Sequence, residues 1–282
     1  WLVGTQRLQL GQRPMFMGIL NVTPDSFSDG GMYTSINDAM TQAELLIAQG
    51  ADILDIGGES TRPGSAPVTL DEELQRVIPL IQALAGRITV PISIDTTKSQ
   101  VARQAIQAGA SIVNDISGLT FDSEMPRVCA ESGAGVIVMH IQGTPLTMQA
   151  NPHYDDVVEE VRTALAQRIE ALVTAGIRQE AIVTDPGLGF GKSAHHNLEL
   201  LAGIPRLRDL GRPVLIGHSR KRFLGKILGR PVDERSLGTV GVSLAAVQLG
   251  ADILRLHEIT PSRECWMAWN AVMQAGNAKQ AD

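Results

Sequence analysis

The chain has 282 residues, the length of one large α/β domain or of two ordinary domains. Apolar residues make up 44% and charged residues 19%, and the net charge is -6 without a long basic run. This composition predicts a folded globular protein and argues against binding to nucleic acid or to anionic membranes. The chain has only two cysteines, Cys129 and Cys265, and no apolar stretch long enough for a bilayer, so we expect a soluble, cytoplasmic protein.

Short apolar runs recur along the chain, each followed by a polar loop and a helical pattern. Continuous apolar runs of this length are typical of parallel strands, which are buried on both faces. Eight such runs alternating with helices predict an α/β fold, the closed TIM (β/α)8 barrel. In chain order they are MFMGIL (15–20), DILDIG (52–57), PISID (91–95), SIVND (111–115), GVIVMH (135–140), AIVTD (181–185), PVLIGH (213–218) and DILRLH (252–257).

The connecting segments support the barrel. Residues 2–13 predict a short β-hairpin that covers its bottom, and no linker or low-complexity segment follows, so we expect a single domain over residues 1–282. A doubly wound open sheet is the alternative, but it usually carries a glycine fingerprint after its first strand, and here NVTPDSFSDGG follows. One helix has clear ends: Asp155 and Asp156 stand at its start and Gly176 at its close. Its apolar face is Val157, Val161, Leu165, Ile169 and Leu172.

Every predicted strand delivers a polar residue at its carboxyl end, where barrel enzymes place their active sites. Because charged groups are costly to bury unless they are paired or used, the set predicts one polar pocket. In chain order the residues are Asn21; Glu59, Ser60, Thr61 and Arg62; Asp95; Asn114 and Asp115; His140; Asp185; Ser219, Arg220 and Lys221; Arg255 and His257.

The pocket has two chemical halves. Asp95, Asn114 and Asp185 suit the amino edge of a flat heterocycle, because a carboxylate accepts two N–H bonds side by side. The donors suit a phosphate or a carboxylate, and the Asn21 carbonyl offers a ligand to Mg²⁺. These donors are Arg62, Lys221, Arg255 and His257. A structural role, such as a helix cap, is at least as good an explanation for Asp25, Glu59 and Asp115. Asp29 could be a turn residue only. Arg220 and Lys221 could form a solvated pair on the surface.

Three motifs do not support other chemistry. PGLGFGKS (186–193) has Pro186 where a Walker A loop needs glycine, so we reject nucleotide binding there. His195 and His196 lack partners at metal-ligand spacing and predict a surface pair. Ser219 lies in GHSRK and not in the nucleophile elbow G-x-S-x-G.

The residues resemble the dihydropteroate synthase family over nearly the whole chain, with its motifs in order. The most specific of them are the first two and the SRK element. The matching segments are GILNVTPDSFSDGG (18–31), DIGGESTRPG (55–64), ISIDTTK (92–98), NDISG (114–118), MHIQGTPLTMQ (139–149), DPGLGFGK (185–192), GHSRKRFLG (217–225) and LRLH (254–257).

The resemblance implies a sulfonamide-target enzyme of folate synthesis that condenses 6-hydroxymethyl-7,8-dihydropterin pyrophosphate with p-aminobenzoate. It implies a homodimer formed through the C-terminal helices, where Trp266 and Trp269 lie. It also implies site roles. The pterin would be held by Asp95, Asn114, Asp185 and Lys221, with Met139 and Phe190 nearby, and the pyrophosphate and Mg²⁺ would be held by Asn21, Arg255 and His257. The p-aminobenzoate site would be shaped by Thr61, Arg62, Pro63, Ser219 and Lys221, and a mobile loop would carry Phe27 and Asp29. The catalytic residues would be Asp95, Asp185, Lys221, Arg255 and His257.

Some positions depart from the family pattern. Glu258 stands where aspartate is usual, Leu188 where phenylalanine is expected, and His218 where a smaller or apolar residue is common. Two alternatives remain open. A pterin-binding methyltransferase barrel shares the fold and the aspartates but needs neither the SRK element nor the STRPG loop. A non-catalytic pterin-binding paralogue would bind substrate without turnover.

Overall fold

The computed structural model describes residues 1–22, 31–61 and 64–278. Eight parallel strands form one sheet in the order β8-β7-β6-β5-β4-β3-β10-β9, and β1 pairs antiparallel with β2 as a separate hairpin. The predicted TIM barrel and its N-terminal hairpin are therefore confirmed. The strands are β1 Leu2–Val3, β2 Gln6–Arg7, β3 Met15–Asn21, β4 Ile53–Gly57, β5 Ile92–Asp95, β6 Ile112–Asp115, β7 Gly135–Met139, β8 Ile182–Asp185, β9 Leu215–Ile216 and β10 Ile253–Leu256.

Helices connect successive strands. They are α1 Gly31–Ala48, α2 Leu70–Leu84, α3 Ser99–Ala108, α4 Met125–Ser132, α5 Val157–Thr174, α6 Ala194–Ala202, α7 Ile204–Arg208, α8 Arg222–Leu228, α9 Ser236–Gln248 and α10 Thr260–Ala278. Among the described residues, none of these helices combines the length and the apolar character that crossing a membrane requires.

The predicted start of α5 is confirmed in detail. Asp156 is its N-cap, and the carboxylate accepts the backbone N–H groups of Val158 at 3.1 Å and Glu159 at 2.9 Å. Gly176, two residues past the helix, takes the left-handed conformation with φ +98°. The five apolar residues of the predicted face are all buried. Helical spacing and capping chemistry therefore fix this helix from the sequence alone.

The barrel closes through its shortest strand. Six residues (213–218) are predicted as strand, but only Leu215–Ile216 adopt that conformation. Pro213 has no N–H to donate, so the pairing with β8 shrinks to one parallel bridge between Thr184 and Val214. The Pro213 carbonyl still accepts the Thr184 N–H at 2.9 Å. The ring of strands is thus continuous but held by few bonds at this point.

The hairpin covers the amino-terminal end of the barrel, as predicted. Trp1, Val3 and Leu8 pack in one buried cluster with apolar side chains from the strands, and the Trp1 indole N–H donates to the Ala181 carbonyl at 2.7 Å. The strand residues of this cluster are Met17, Ile53, Ile112, Ile137, Val183, Leu215 and Ile253. A dry apolar floor therefore closes one end of the barrel and leaves the other end for polar groups.

Candidate active site

Polar side chains lie in the layer directly above this floor. Successive residues of a strand point to opposite faces, so a position two residues beyond a floor residue again points into the barrel. Ile53 is followed in this way by Asp55, and Ile112 by Asn114. The same step gives Met139, Asp185, Gly217 and Arg255 from Ile137, Val183, Leu215 and Ile253. The strand pattern alone thus produces a ring at the carboxyl end in which four of the side chains are polar, Asp55, Asn114, Asp185 and Arg255.

Arg255 is the centre of one half of this ring. Its Nε donates to Asp55 Oδ2 at 2.5 Å, and its Nη2 donates to Asp95 Oδ2 at 2.7 Å. Asp55 Oδ2 also accepts Asn114 Nδ2 at 3.1 Å. Three predicted residues, Asp95, Asn114 and Arg255, are therefore brought together, and Asp55 joins them although the sequence did not single it out.

These contacts and burial change the pKa values of Asp95 and Arg255. Burial raises the pKa of Asp95 to about 7, against the opposing effect of the Arg255 guanidinium. The Asp55 carboxylate adds to the rise. Burial alone would lower the pKa of Arg255, but Asp55 and Asp95 raise it above its ordinary value. Arg255 is therefore always charged, whereas Asp95 changes protonation near neutral pH.

Lys221 and Asp185 form the other half. Lys221 Nζ donates to the Leu188 carbonyl and lies 4.7 Å from the centre of the Phe190 ring. Asp185 Oδ1 accepts the Gly187 N–H at 2.7 Å. Burial lowers the pKa of Lys221 to about 8, although the nearby Asp185 favours its charged form. Burial likewise raises the pKa of Asp185, and Lys221 opposes that rise.

The wall beside Lys221 is built on glycines in the 186–193 segment. A Cβ on Gly187 would lie 1.9 Å from the His140 carbonyl oxygen, and one on Gly191 would lie 2.5 Å from the Gln142 oxygen. Both glycines also have positive φ, +69° and +66°. These glycines therefore allow close backbone contact beside the end of β7.

Lys192 lies near the end of this segment, and the sequence did not predict it as a site residue. It is buried and bonds to the Phe190 carbonyl at 2.9 Å, the His140 carbonyl at 3.3 Å and His140 Nδ1 at 3.0 Å. Burial lowers the pKa of Lys192 to about 7, and Asp185 favours the charged form. Burial lowers the pKa of His140 to about 3, so the ring is neutral and Nδ1 can accept.

Ser219 and His257 meet at a third point. His257 Nδ1 lies 3.0 Å from Ser219 Oγ, and the His257 N–H donates to that oxygen at 3.2 Å. Beside them, Arg220 has φ +57° and forms an ion pair with Glu258 at 2.8 Å. Arg220 is partly exposed and paired with Glu258, one of the positions that depart from the family pattern. Its neighbour Lys221 turns into the pocket.

His218, another departure from the family pattern, lies behind this turn. It is fully buried, and its Nε2 contacts Ser243 Oγ at 2.9 Å and the Thr239 carbonyl at 3.1 Å. Burial lowers the pKa of His218 to about 4. A neutral imidazole therefore ties the end of β9 to α9.

Asn21 ends β3 at the same rim. Gly57 leaves room beside it, since a Cβ there would lie 3.7 Å from Asn21 Oδ1 and 3.7 Å from Asp95 Oδ2. An amide oxygen and a carboxylate oxygen thus border one small gap; Asp95 Oδ2 already accepts from Arg255, which leaves the Asn21 oxygen as the candidate ligand to a hard cation that keeps several waters. No cluster of three or more His, Cys, Asp or Glu side chains suited to a metal exists among the described residues.

The other predicted positions have four different outcomes. Thr61 is described and half-buried on the loop after β4, without a bond to the groups above. Asp115 has the structural role offered as an alternative, because its carboxylate accepts the Ser117 N–H at 2.7 Å. Of the predicted surface pair, His195 is exposed, and His196 is half-buried and forms a capping box with Ser193 at the start of α6. Asp25, Phe27, Asp29, Arg62 and Pro63 lie outside the described residues.

The fold and this pocket together are those of a barrel enzyme, with carboxylates and cations paired at the carboxyl end of the strands. The sequence matches the pterin-binding enzyme family over residues 17–257. It is 49% identical to dihydropteroate synthase of Synechocystis sp. over 258 residues, covering 91% of this chain and 89% of the relative. The chain therefore belongs to the pterin-binding enzyme family and, within it, to the dihydropteroate synthases.

Solved structures agree. Yersinia pestis dihydropteroate synthase with a sulfonamide drug has a TM-score of 0.90 and 40% identity, covering 98% of this chain and 99% of that one. The Xanthomonas albilineans enzyme with 4-aminobenzoic acid has a TM-score of 0.87 and 46% identity, and with 7,8-dihydropteroate 0.84 and 43%; each covers 93% of this chain and 94% of the other.

Proposed function

We propose that the chain has dihydropteroate synthase activity. It joins p-aminobenzoate to 6-hydroxymethyl-7,8-dihydropterin pyrophosphate and produces 7,8-dihydropteroate and pyrophosphate. The observation that carries the proposal is the pocket itself, in which Asp95, Asn114 and Asp185 face Lys221 and Arg255 above an apolar floor. Relatives at 40–49% identity with the same activity support it.

The pterin ring would take the acceptor half of the pocket. Asp185 and Asn114 would bind its amino-pyrimidinone edge, and Lys221 would donate to a ring acceptor. Met139 and Phe190 would contact its apolar faces. When the bond from the methylene to the pyrophosphate breaks, the methylene becomes positive and the ring shares this charge. The Asp95 and Asp185 carboxylates would then stabilise the charge, which fits a dissociative substitution without a covalent enzyme intermediate.

The leaving pyrophosphate would lie at the Arg255 and His257 side. Arg255 is a permanent cation there, and Ser219 orients the His257 ring through Nδ1. Mg²⁺, when bound, would neutralise charge on the leaving group, with Asn21 as its protein ligand. The space at Gly57 beside the Asn21 and Asp95 oxygens supports this assignment.

The p-aminobenzoate would bind beside the loop after β4. We assign Thr61, Arg62, Pro63, Ser219 and Lys221 to this subsite; Arg62 and Pro63, like Phe27 and Asp29, lie outside the described residues. A sulfonamide is an analogue of p-aminobenzoate, so this chain would bind sulfonamides at the same subsite.

Pyrophosphate release tests the activity directly. We expect the protein with Mg²⁺ to release pyrophosphate from the pterin substrate only when p-aminobenzoate is present, and to form dihydropteroate. Asp185→Asn should lower turnover on the order of 10²-fold, because it removes a negative charge that stabilises the developing cation. Asp155→Asn, at a fully exposed aspartate, is the matched control. Pterin binding without release would instead support a non-catalytic paralogue or a methyltransferase.

We further propose a cytoplasmic homodimer. Both Cys129 and Cys265 are free thiols, as a reducing compartment predicts. Large apolar side chains on α9 and α10 are exposed, including Leu237 at 86% and Val272 at 71%. This is the region that carries Trp266 and Trp269. A monomer in light scattering at micromolar concentration would refute the dimer.

A further inference from the structure

Three charged residues meet at the carboxyl end of the barrel, outside the pterin pocket. Lys98 Nζ lies 2.5 Å from Glu73 Oε2 and also bonds to Glu59 Oε2. Glu59 belongs to the loop after β4, Glu73 to the first turns of α2, and Lys98 directly precedes α3. We refer to Glu59, Glu73 and Lys98 as the Lys98 triad. The proposed function uses none of its members.

The triad anchors the loop that carries Thr61. Glu59 Oε1 accepts the Val68 N–H at 3.2 Å, so one side chain closes the loop across nine residues. At the base of the loop, Arg76 donates to the Gly58 carbonyl at 2.7 Å. Glu59 therefore has two tasks at once. It joins the two ends of the loop with one oxygen and ties them to Lys98 with the other.

Stability alone does not account for the triad. The Glu73 side chain is 0% exposed, and its Oε1 has no hydrogen-bond partner among the described residues. Burial of such an ion pair costs about as much as its attraction returns, and apolar side chains of similar size are often as stable or more stable. In some proteins such an ion pair instead gives the groups it joins one defined position. Here the group that it positions is the loop after β4.

We propose that the Lys98 triad positions this loop, and with it Thr61, for the second substrate. Glu59, Glu73 and Lys98 are thus positioning residues for p-aminobenzoate and for sulfonamides, and Lys98 bonds to the two glutamates and not to Asp95, Asn114 or Asp185. The inference rests on the proposed function, which assigns Thr61 to that subsite. Loss of the triad should therefore weaken the binding of p-aminobenzoate and leave the binding of the pterin pyrophosphate unchanged.

Glu59→Ala is the sharpest test, because it cuts the loop from the triad and leaves the buried Lys98–Glu73 pair intact. We expect the KM for p-aminobenzoate to rise about 10-fold, with the Kd for the pterin pyrophosphate within about twofold of the parent. Glu59→Gln, which keeps an oxygen acceptor, should recover part of the loss. Glu131→Ala is the control, since it removes an exposed ion pair between α3 and α4 and should change neither constant.

A second variant separates positioning from folding. In Glu73→Leu with Lys98→Met, both charges are removed together, so no buried charge is left unpaired. We expect a melting temperature at or above that of the parent and the same rise in KM for p-aminobenzoate. An unchanged KM in both variants, or an equal loss of pterin binding, would overturn the inference.

The result remains separable from the proposed function. Direct titration of p-aminobenzoate and of the pterin pyrophosphate is carried out on the parent and on each variant. A parent that forms no dihydropteroate would refute the proposed function, and the titrations would still decide whether the triad controls binding of p-aminobenzoate.

Discussion

Asp55 offers the most direct test of the electrostatics around Arg255. Its side chain is 0% exposed, and one oxygen accepts from both Arg255 and Asn114. Asp55→Asn keeps the size of the side chain and one acceptor oxygen, removes the charge, and replaces the second oxygen with an amide NH2. Because Asp55 raises the pKa of Asp95, the substitution must lower that pKa from its value of about 7.

The size of the effect follows from the geometry. The two carboxylates bind Nε and Nη2 of the same guanidinium, so they lie roughly 5 Å apart. At an effective dielectric constant of about 20, two unit charges at that distance repel by about 3 kcal/mol, or roughly two pKa units. The Arg255 guanidinium lies between the two carboxylates and reduces the repulsion between them. We therefore expect the pKa of Asp95 to fall by about one unit or slightly more.

The assay is the pH dependence of kcat. Ionised Asp95 is the form that stabilises the cationic methylene, so activity rises with pH through the pKa of Asp95. In Asp55→Asn this acidic limb should move to lower pH. The basic limb reflects Lys221, with a pKa of about 8, and should stay in place because Asp55 does not contribute to that shift.

Asp52→Asn is the matched control for this experiment. Asp52 is three residues earlier, directly before β4, and pairs with Arg13 at 2.5 Å at the opposite end of the barrel. The same chemical change there should leave both limbs of the pH profile unchanged. If the acidic limb of Asp55→Asn stayed in place or moved to higher pH, the assignment of that limb to Asp95 would be wrong.

Three further outcomes are expected. Lys192→Met leaves the His140 and Phe190 carbonyls without their donor, so the free energy of unfolding should fall by about 1–3 kcal/mol in urea titrations. Gly187→Ala should prevent stable folding, measured by circular dichroism, whereas Gly211→Ala, with similar φ and open space, should cost only about 1–2 kcal/mol. Asp156→Ala, which removes the N-cap of α5, should lower the free energy of unfolding by about 1 kcal/mol.

The barrel was predictable because its strands are buried on both faces. That burial produces continuous apolar runs, and eight of them stand out between helical patterns. The exception is the length of β9, which the structure restricts to Leu215–Ile216. Residues 213–218 are apolar enough to be predicted as a strand, but fewer of them form backbone pairs, because Pro213 has no N–H to donate. Apolar pattern thus predicts where a strand lies better than how much of it pairs.

The site was predictable where a polar residue ends a strand and less so where it lies inside one. Asp95, Asn114 and Asp185 stand at strand ends, but Asp55 is in the middle of β4. The signal for Asp55 was present, since it follows Ile53 by two residues, as Asn114 follows Ile112. Lys98 and Glu73 were missed for a different reason. Their contact joins segments 25 residues apart, and only the packing of α2 against the barrel brings them together.

The balance of charge in the pocket bears on the proposed metal. Three carboxylates, Asp55, Asp95 and Asp185, lie among three cations, Arg255, Lys221 and Lys192. Arg255 is already shared by two of the carboxylates, so little positive charge is left over for an incoming pyrophosphate. A group with several negative charges then requires a further cation in this low-dielectric site. This shortage of free positive charge supports the proposal of Mg²⁺ beside Asn21.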